Sequence, residues 1–397
     1  MEKIVFIANL DNGEGMSGGT RIYLELLKRF GDVFKIYLFG SAGTIKLLKS
    51  QKINKIKFIS TDNNDQANLF STYGLFTHSI RRLVAGVKSV RENLSIVKNA
   101  EYVFSVSDFW PDILPALFLK WKNPKIKWVA AFYFFAPKPW QKNNPYATSI
   151  PRRIVGFLYW STQLLAYQAI KRWADLVIAC NETDRKIFIK DGYSPRNIIA
   201  IYGGVDLKAI NDIPAPKKKS YDAIFVARFH PQKGPFVAVK VWETLVKTMP
   251  GAKLAMLGNG PEEKKVSDYI KKMKLTKNIR LFGFVDGSEK YKLIKSAKVF
   301  LHPAIYETGG MSAADGMASG LPVVAFDHEG YRYCYPKGML RVTPIGDYKK
   351  MAKSVINILV DKKKYDIIKK QAINLMETEW DWGKRSSLVS EKIQHLG

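Results

Sequence analysis

Apolar residues recur along this chain in two rhythms: short uninterrupted runs, and longer stretches in which they fall on one helical face. The first half opens with an apolar run at residues 4–8, passes through a glycine-rich turn, takes up helical spacing over 21–30, and returns to an apolar run at 33–39. That order predicts a strand, a helix and a second strand. Further strand-like runs stand at 102–106, 128–132, 176–179 and 198–201, with helical patterns between several of them. Runs that are apolar at every position belong to strands covered on both faces, so the first half reads as a mostly parallel sheet between helices.

The rhythm lapses between Leu207 and Tyr221, where Pro214, Pro216 and the run Lys217, Lys218, Lys219 give the composition of an exposed linker. Beyond it the alternation is clearer still. Strands are predicted at 223–227, 253–257, 279–282, 299–301 and 322–326, and helices at 235–248, 262–273, 288–296 and 312–319. Two last helical segments, around 347–359 and 384–395, are separated by polar residues and by Trp380 and Trp382. The expected organisation is an α/β domain over 1–206, a linker over 207–220, a doubly wound α/β domain over 221–378 and a closing segment over 379–397.

Bulk properties agree with two ordinary cores. A chain of 397 residues exceeds the size at which one core stops growing, and 47% hydrophobic residues bury enough apolar surface to exclude disorder. A net charge of +28 calls for an anionic partner, whether nucleic acid, acidic lipid or a phosphorylated small molecule. The lysine runs at 217–219, 271–272 and 362–364 read as solvated faces. Cys180 and Cys334 lie far apart, without metal or redox spacing, which fits a reducing cytoplasm. The opening MEKIVFIANL runs straight into a strand and lacks the parts of a signal peptide. The longest uncharged stretch, between Arg153 and Lys171, is interrupted by Ser161, Thr162, Gln163 and Gln168 and is too short and polar to span a bilayer.

In open parallel sheets ligands bind beyond the carboxyl ends of the strands, so the loops after strands carry the candidate chemistry. After the first strand, GEGMSGGTR places Gly18 and Gly19 before a helix, where backbone amides can approach a phosphate, although the spacing is not the dinucleotide fingerprint. After the first strand of the second domain, VARFHPQKGP carries Arg228 and Lys233, a planar fork of donors and a point charge suited to a diphosphate. The turn LGNGP follows the next strand, and its Gly258 and Gly260 keep side chains clear of a flat ring.

Residues 300–327, FLHPAIYETGGMSAADGMASGLPVVAFD, hold the densest signal. A strand ends, Glu307 follows in the loop, Gly309 and Gly310 open a helix, and Asp315 lies two turns in. Free amides at a helix start attract an anion, Glu307 is placed to accept hydrogen bonds from the hydroxyls of an attached sugar, and Asp315 to face a ribose.

These stretches, with KRWADLVIACNETDRKIF, IYGGVD at 201–206 and IRLFGFV, resemble retaining glycosyltransferase family 4, of the GT-B fold, over about 40% of the chain, roughly residues 169–324. The resemblance implies two Rossmann-like doubly wound domains facing a central cleft, with Trp382 and the final helix crossing back to the first domain. It implies that Arg228 and Lys233 contact the donor diphosphate, Glu307 the donor sugar, the amides of Gly309, Gly310 and Met311 the phosphates, and Asp315 the ribose, with the base near Gly258, Gly260 and Phe284. Two departures stand out. Asp315 is one methylene shorter than the family's usual glutamate. Many members carry a histidine after a strand of the first domain, whereas this chain reads AFYFFAP there and has no histidine between His78 and His230. Tyr133 or a neighbouring main-chain group would then take that place.

The expected activity is therefore transfer of a sugar from a UDP-, GDP- or ADP-linked donor to a glycan or lipid-linked acceptor, with retention of configuration. No cofactor and no metal is expected, since no His, Asp and Glu cluster has ligand spacing and no pair of carboxylates is spaced for double displacement. In the first domain Lys138, Trp140, Lys142, Arg152, Arg153, Trp160, Lys171, Arg172 and Trp173 mix rings with cations, which suits an anionic membrane surface and a peripheral place on its inner face. Two rival readings are a nucleotide-sugar epimerase or hydrolase on the same fold, and a basic nucleic-acid-binding protein. The second lacks any recognisable binding motif.

Overall fold

The apolar runs form thirteen strands among the described residues of a computed structural model, which describes residues 1–10, 17–62, 72–141, 144, 146, 150–307 and 309–396. Lys142 and residues 13–16 of the first glycine-rich loop lie outside the described residues. The chain divides into two units, one of Met1–Tyr202 with Gly383–Gly397 and one of Gly203–Trp382.

The first unit is built on a sheet of seven parallel strands: β1 (Lys3–Ala8), β2 (Lys35–Gly40), β3 (Lys57–Ser60), β4 (Tyr102–Ser105), β5 (Lys127–Phe132), β6 (Leu176–Ala179) and β7 (Ile198–Ala200), in the order β3-β2-β1-β4-β5-β6-β7. Ile4 pairs with Ile36 on one side and Tyr102 on the other. Every residue from Ile4 to Ile7 is sealed from solvent, as a strand covered on both faces requires. The helix Gly18–Phe30 starts where the Ser17 side chain accepts from the Thr20 amide, and its last turn carries Lys28 and Arg29 against the negative end of the helix. The strand β3 and the helices Thr72–Glu92 and Trp110–Lys122 were not expected individually from the pattern. The long helix Ile150–Trp173 contains the uncharged stretch.

The second unit holds six parallel strands: β8 (Tyr221–Val226), β9 (Leu254–Leu257), β10 (Ile279–Leu281), β11 (Ala297–His302), β12 (Val323–Phe326) and β13 (Leu340–Thr343), in the order β10-β9-β8-β11-β12-β13. The stretch read as an exposed linker departs from that picture. It carries the short helix Leu207–Asn211 and buries Ile210 and Ile213 against the second unit. Lys219 departs too: its ammonium is turned inward and donates to the main-chain oxygen of Lys295 instead of being solvated. The sequence pattern also passed over β13 and the helix Lys362–Glu379, which is separated from the helix Tyr348–Val360 only by Asp361.

Trp380 and Trp382 are fully buried where the chain leaves the second unit. Trp380 stacks on Tyr335 with centroids 5.0 Å apart, and Trp382 occupies the space that a side chain on Gly204 would need. The residues that follow cluster with the first unit, the Arg385 guanidinium 5.6 Å from the Tyr202 ring and Gln394 donating to Glu2 at 3.4 Å.

Candidate functional site

Each sheet has one point where the chain, having built outward on one side, returns to build on the other: between β1 and β4 in the first unit and between β8 and β11 in the second. The loops that follow such neighbouring strands diverge and leave a crevice. In the second unit these are the loops carrying Arg228, Lys233 and Glu307.

Two glycines allow these loops to pack. Gly234 adopts φ +65°, and a Cβ there would stand 2.1 Å from the Pro303 carbonyl oxygen, so the loop after β8 lies directly on the loop after β11. The Gln232 carbonyl accepts from the amides of Ile305 and Tyr306 at 2.8 and 3.2 Å. Gly258 is more constrained still, with φ +137° and a would-be Cβ 1.9 Å from the Ala227 oxygen. Any side chain at either position would force the loops apart. The Phe229 amide donates to Asn259 at 2.7 Å and the Gly258 amide to Gly283 at 2.7 Å, which laces the loops after β8, β9 and β10 together.

Lys233 and Glu307 meet in this frame, Nζ to Oε2 at 2.5 Å, although 74 residues separate them. The Glu307 side chain is only 10% exposed and that of Lys233 is 32% exposed. Burial alone would push the Glu307 carboxyl up. The charge of Lys233, with a smaller contribution from His302, outweighs it and holds the carboxyl well below the usual range. Glu307 is thus an acceptor only, and two of the three Lys233 donor positions remain for another anion. Arg228 is exposed and forms no ion pair with the described residues.

Gly310, at φ +63°, caps the helix Met311–Ala318, and the ring of Tyr331 fills the place of its missing side chain. The first amides of that helix, at Met311, Ser312 and Ala313, have no backbone partner among the described residues, and they face the loop that holds Glu307. Tyr335 fixes the glycines from behind, its hydroxyl 3.0 and 3.1 Å from the Gly309 and Gly310 oxygens. Asp315 sits deeper in the helix and is already held, by Lys290 at 2.9 Å and by the Tyr291 hydroxyl at 3.2 Å, with further lone pairs on both oxygens. Phe284, beyond the Gly258–Gly260 turn, presents an exposed ring.

The structure therefore brings Arg228, Lys233, Gly258, Gly260, Phe284, Glu307, Gly309, Gly310, Met311 and Asp315 into the loops and helix starts of one unit, while Gly18 and Gly19 belong to the other. Gly19 lies against Tyr133, whose ring carbons come within 2.5 Å of a would-be Cβ, and the buried Tyr133 hydroxyl has no hydrogen-bond partner among the described residues. The reading of the sequence passed over His302, Ser312, Tyr331 and Tyr335. His302 ends β11 with its Nδ1 3.3 Å from the Ser312 hydroxyl and its Nε2 3.4 Å from Glu307. The two tyrosines follow β12, the next strand along, so the rule that led to Glu307 also pointed to EGYRYCY.

Residues 208–375 match the family model of the glycosyl transferases group 1. Among curated relatives, the poly(glycerol-phosphate) alpha-glucosyltransferase of Bacillus subtilis is 26% identical over 171 residues, 43% of this chain and 25% of that protein. The alpha-monoglucosyldiacylglycerol synthase of Acholeplasma laidlawii is 24% identical over 155 residues, 39% of this chain and 37% of that one. The chain spans less than half the length of these curated relatives. Anabaena HepE, solved with UDP-glucose, superposes with a TM-score of 0.74 at 15% identity, covering 100% of both chains. The fold is that of the GT-B glycosyltransferases, two parallel-sheet Rossmann-like domains, as the sequence pattern and the resemblance implied.

Proposed function

We propose that this chain is a retaining glycosyltransferase that moves a sugar from a nucleotide diphosphate to a glycan or lipid-linked acceptor. The observation that carries the reading is the Lys233–Glu307 pair, fixed by Gly234 at the switch point of the second sheet beside the first amides of the helix Met311–Ala318, which have no cap among the described residues. A cation and free amides on one side and an ionised acceptor on the other match a substrate that is anionic at its phosphates and hydroxyl-rich at its sugar. Glu307 takes the sugar hydroxyls, Arg228, Lys233 and the amides of Gly309, Gly310 and Met311 the diphosphate, and Asp315 the ribose. The base lies by Gly258, Gly260 and Phe284, and Gly18 and Gly19 offer main-chain donors from the first unit.

As the bond from the anomeric carbon to the diphosphate breaks, negative charge grows on the departing oxygen. Fixed cations and amides stabilise that charge more in the transition state than in the bound donor, and this difference is what accelerates the reaction. The acceptor oxygen bonds the anomeric carbon on the face the diphosphate leaves, and its proton passes to a phosphate oxygen. This scheme uses no resident metal. Among the described residues no three His, Cys, Asp or Glu side chains are grouped to hold one.

A thermal-shift screen against UDP-, GDP- and ADP-sugars tests the donor site. UDP-sugars take the first arm because HepE was solved with UDP-glucose. A ligand at 100 times its dissociation constant stabilises the folded state by about 2.7 kcal/mol. No shift with any of the three classes would sink the reading.

We place acceptor recognition on the first unit, at a membrane surface. The helix Ile150–Trp173 and the segment before it expose Trp140, Ile150, Ile154, Phe157 and Leu165 beside Arg152 and Arg153. A cleft of about 550 Å³ opens among Trp140, Tyr146, Ile150, Arg153, Ile154 and Phe157. No helix among the described residues is long and apolar enough to cross a membrane, so attachment would be peripheral. On this reading the protein works at the cytoplasmic face. It should float with anionic liposomes at physiological salt and remain below with neutral ones; failure to float with either removes the membrane while leaving the transferase.

A further inference from the structure

The helices Gly287–Lys295 and Met311–Ala318 both precede strands, so their carboxyl ends lie at the edge of the second sheet opposite the donor loops. A cavity of about 210 Å³ opens there, walled by Leu207, Lys219, Lys295, Ser319, Lys369 and Ile373. Three lysines on one small cavity need an explanation. Lys295 is 9% exposed and donates to the main-chain oxygens of Ile210 and Ile213, which satisfies the end of the short helix Leu207–Asn211. Lys219 donates to the oxygen of Lys295 and so closes the helix that Lys295 ends.

Capping accounts for these two hydrogen-bonding roles but not for the charge. The partners are neutral carbonyls, and the one carboxylate in the lining, Glu377, leaves the wall with two more positive than negative groups. The third lysine, Lys369, caps nothing. It reaches over Gly320, its Cε 3.2 Å from where a Cβ would stand, and forms no ion pair with the described residues. Burial, and then the charges of Lys369 and Lys295, push the Lys219 ammonium below its ordinary value, and burial lowers Lys295 as well.

We propose that this cavity is a binding site for a small phosphate-bearing anion, held by Lys219, Lys295 and Lys369 and distinct from the donor site. Its volume falls below the roughly 300 Å³ at which ligand pockets for larger molecules begin, which favours inorganic phosphate or a short phosphomonoester over a nucleotide. Occupancy bears on the donor site through two helices. Ser319 and Gly320, at the cavity, end the helix that begins at Met311, and the helix Gly287–Lys295 carries the Lys290 and Tyr291 that hold Asp315. That consequence rests on the proposed function, whereas the binding itself does not.

The test therefore starts from the Arg228→Ala, Lys233→Ala double variant, in which the donor loops have lost their cations. Calorimetry and thermal shift with inorganic phosphate, and separately with glycerol phosphate, are compared with chloride at equal ionic strength. Either phosphate should bind and raise the melting temperature, and the tighter of the two identifies the source. Adding Lys219→Gln and Lys369→Gln should weaken binding at least about tenfold, the scale of losing one hydrogen bond to a charged group. Lys369→Gln alone, at an exposed position, keeps the experiment decisive if Lys219→Gln disturbs folding. Absence of binding, or binding unchanged by the lysine substitutions, overturns the proposal whatever the donor screen gives.

Discussion

The two switch points are built on one architecture and filled with opposite chemistry. In the second unit the crevice holds cations, the amides of a helix start and the ionised Glu307 carboxylate. In the first, the same position is occupied by buried acids, with the buried Arg82 guanidinium donating to the Asn9 oxygen at 3.0 Å. Asp112 accepts from the amides of Asn9 and Leu10 at 2.7 and 2.9 Å and so ties the loop after β1 to the loop after β4. Asp108 accepts from Gln163 at 2.6 Å, and the same amide reaches the Phe134 oxygen at 2.7 Å. Burial pushes Asp108 up to about 6 and Asp112 up to about 7. A doubly wound sheet thus decides where a ligand binds, and the side chains at the strand ends decide what binds. On the proposed function the anionic donor goes to the second unit, and the first unit, with acids raised by burial and a Tyr133 hydroxyl that has no hydrogen-bond partner among the described residues, receives the hydroxyl-rich acceptor.

The largest effect that can break this comparison lies in the second unit. Arg228→Ala or Lys233→Ala should lower kcat by a factor on the order of 100 or more, the scale for removing one donor aimed at developing charge. Steady-state sugar transfer measures it. Lys233→Ala additionally removes the main charge that holds the buried Glu307 carboxyl down, so the loss should exceed that of the exposed Arg228, and the carboxyl should titrate higher. Turnover like that of the unaltered chain in either variant would mean that the charge asymmetry between the units has nothing to do with catalysis.

How far the site was legible depends on the kind of feature. Glu307, Lys233, Gly309 and Gly310 were visible because chemistry and punctuation coincide: a charged residue, then glycine, directly after a strand. The pairing of Lys233 with Glu307 was not visible, since it depends on which strands are neighbours, and the order β8-β11 is a tertiary fact. Tyr331 and Tyr335 follow a strand as Glu307 does and fell under the same rule, but their packing behind Gly309 and Gly310 depends on β12 lying beside β11. The strands β3 and β13 and the helix Lys362–Glu379 were missed because edge strands and surface helices carry mixed polarity and break the apolar rhythm. Lys219 was misread because a lysine run ordinarily faces solvent, and only the packing of the chain after Asn211 turns one member inward.

A smaller effect sharpens the comparison, because the two units should respond to pH in opposite senses. Burial, aided by the nearby charge of Asp108, raises Asp184 in the first unit to about 7. A carboxyl whose folded value lies above its unfolded value of 3.8 binds its proton more tightly when folded, so its contribution to stability is lost as pH rises from there to about 7. Glu307 works the other way: its depressed value means that its contribution is complete above 4.5 and is lost only as pH falls below the usual carboxylate range. His328, lowered chiefly by burial, adds stability to the second unit as pH rises through its ordinary value of 6.5. Urea denaturation of the unaltered chain and of Asp184→Asn between pH 5 and 7.5 isolates the first term. The variant should gain relative to the parent as pH rises, by up to roughly 1.4 kcal/mol per pH unit for one group. A flat difference for Asp184→Asn would show that Asp184 is ionised in the folded state and that burial does not raise it as its surroundings imply.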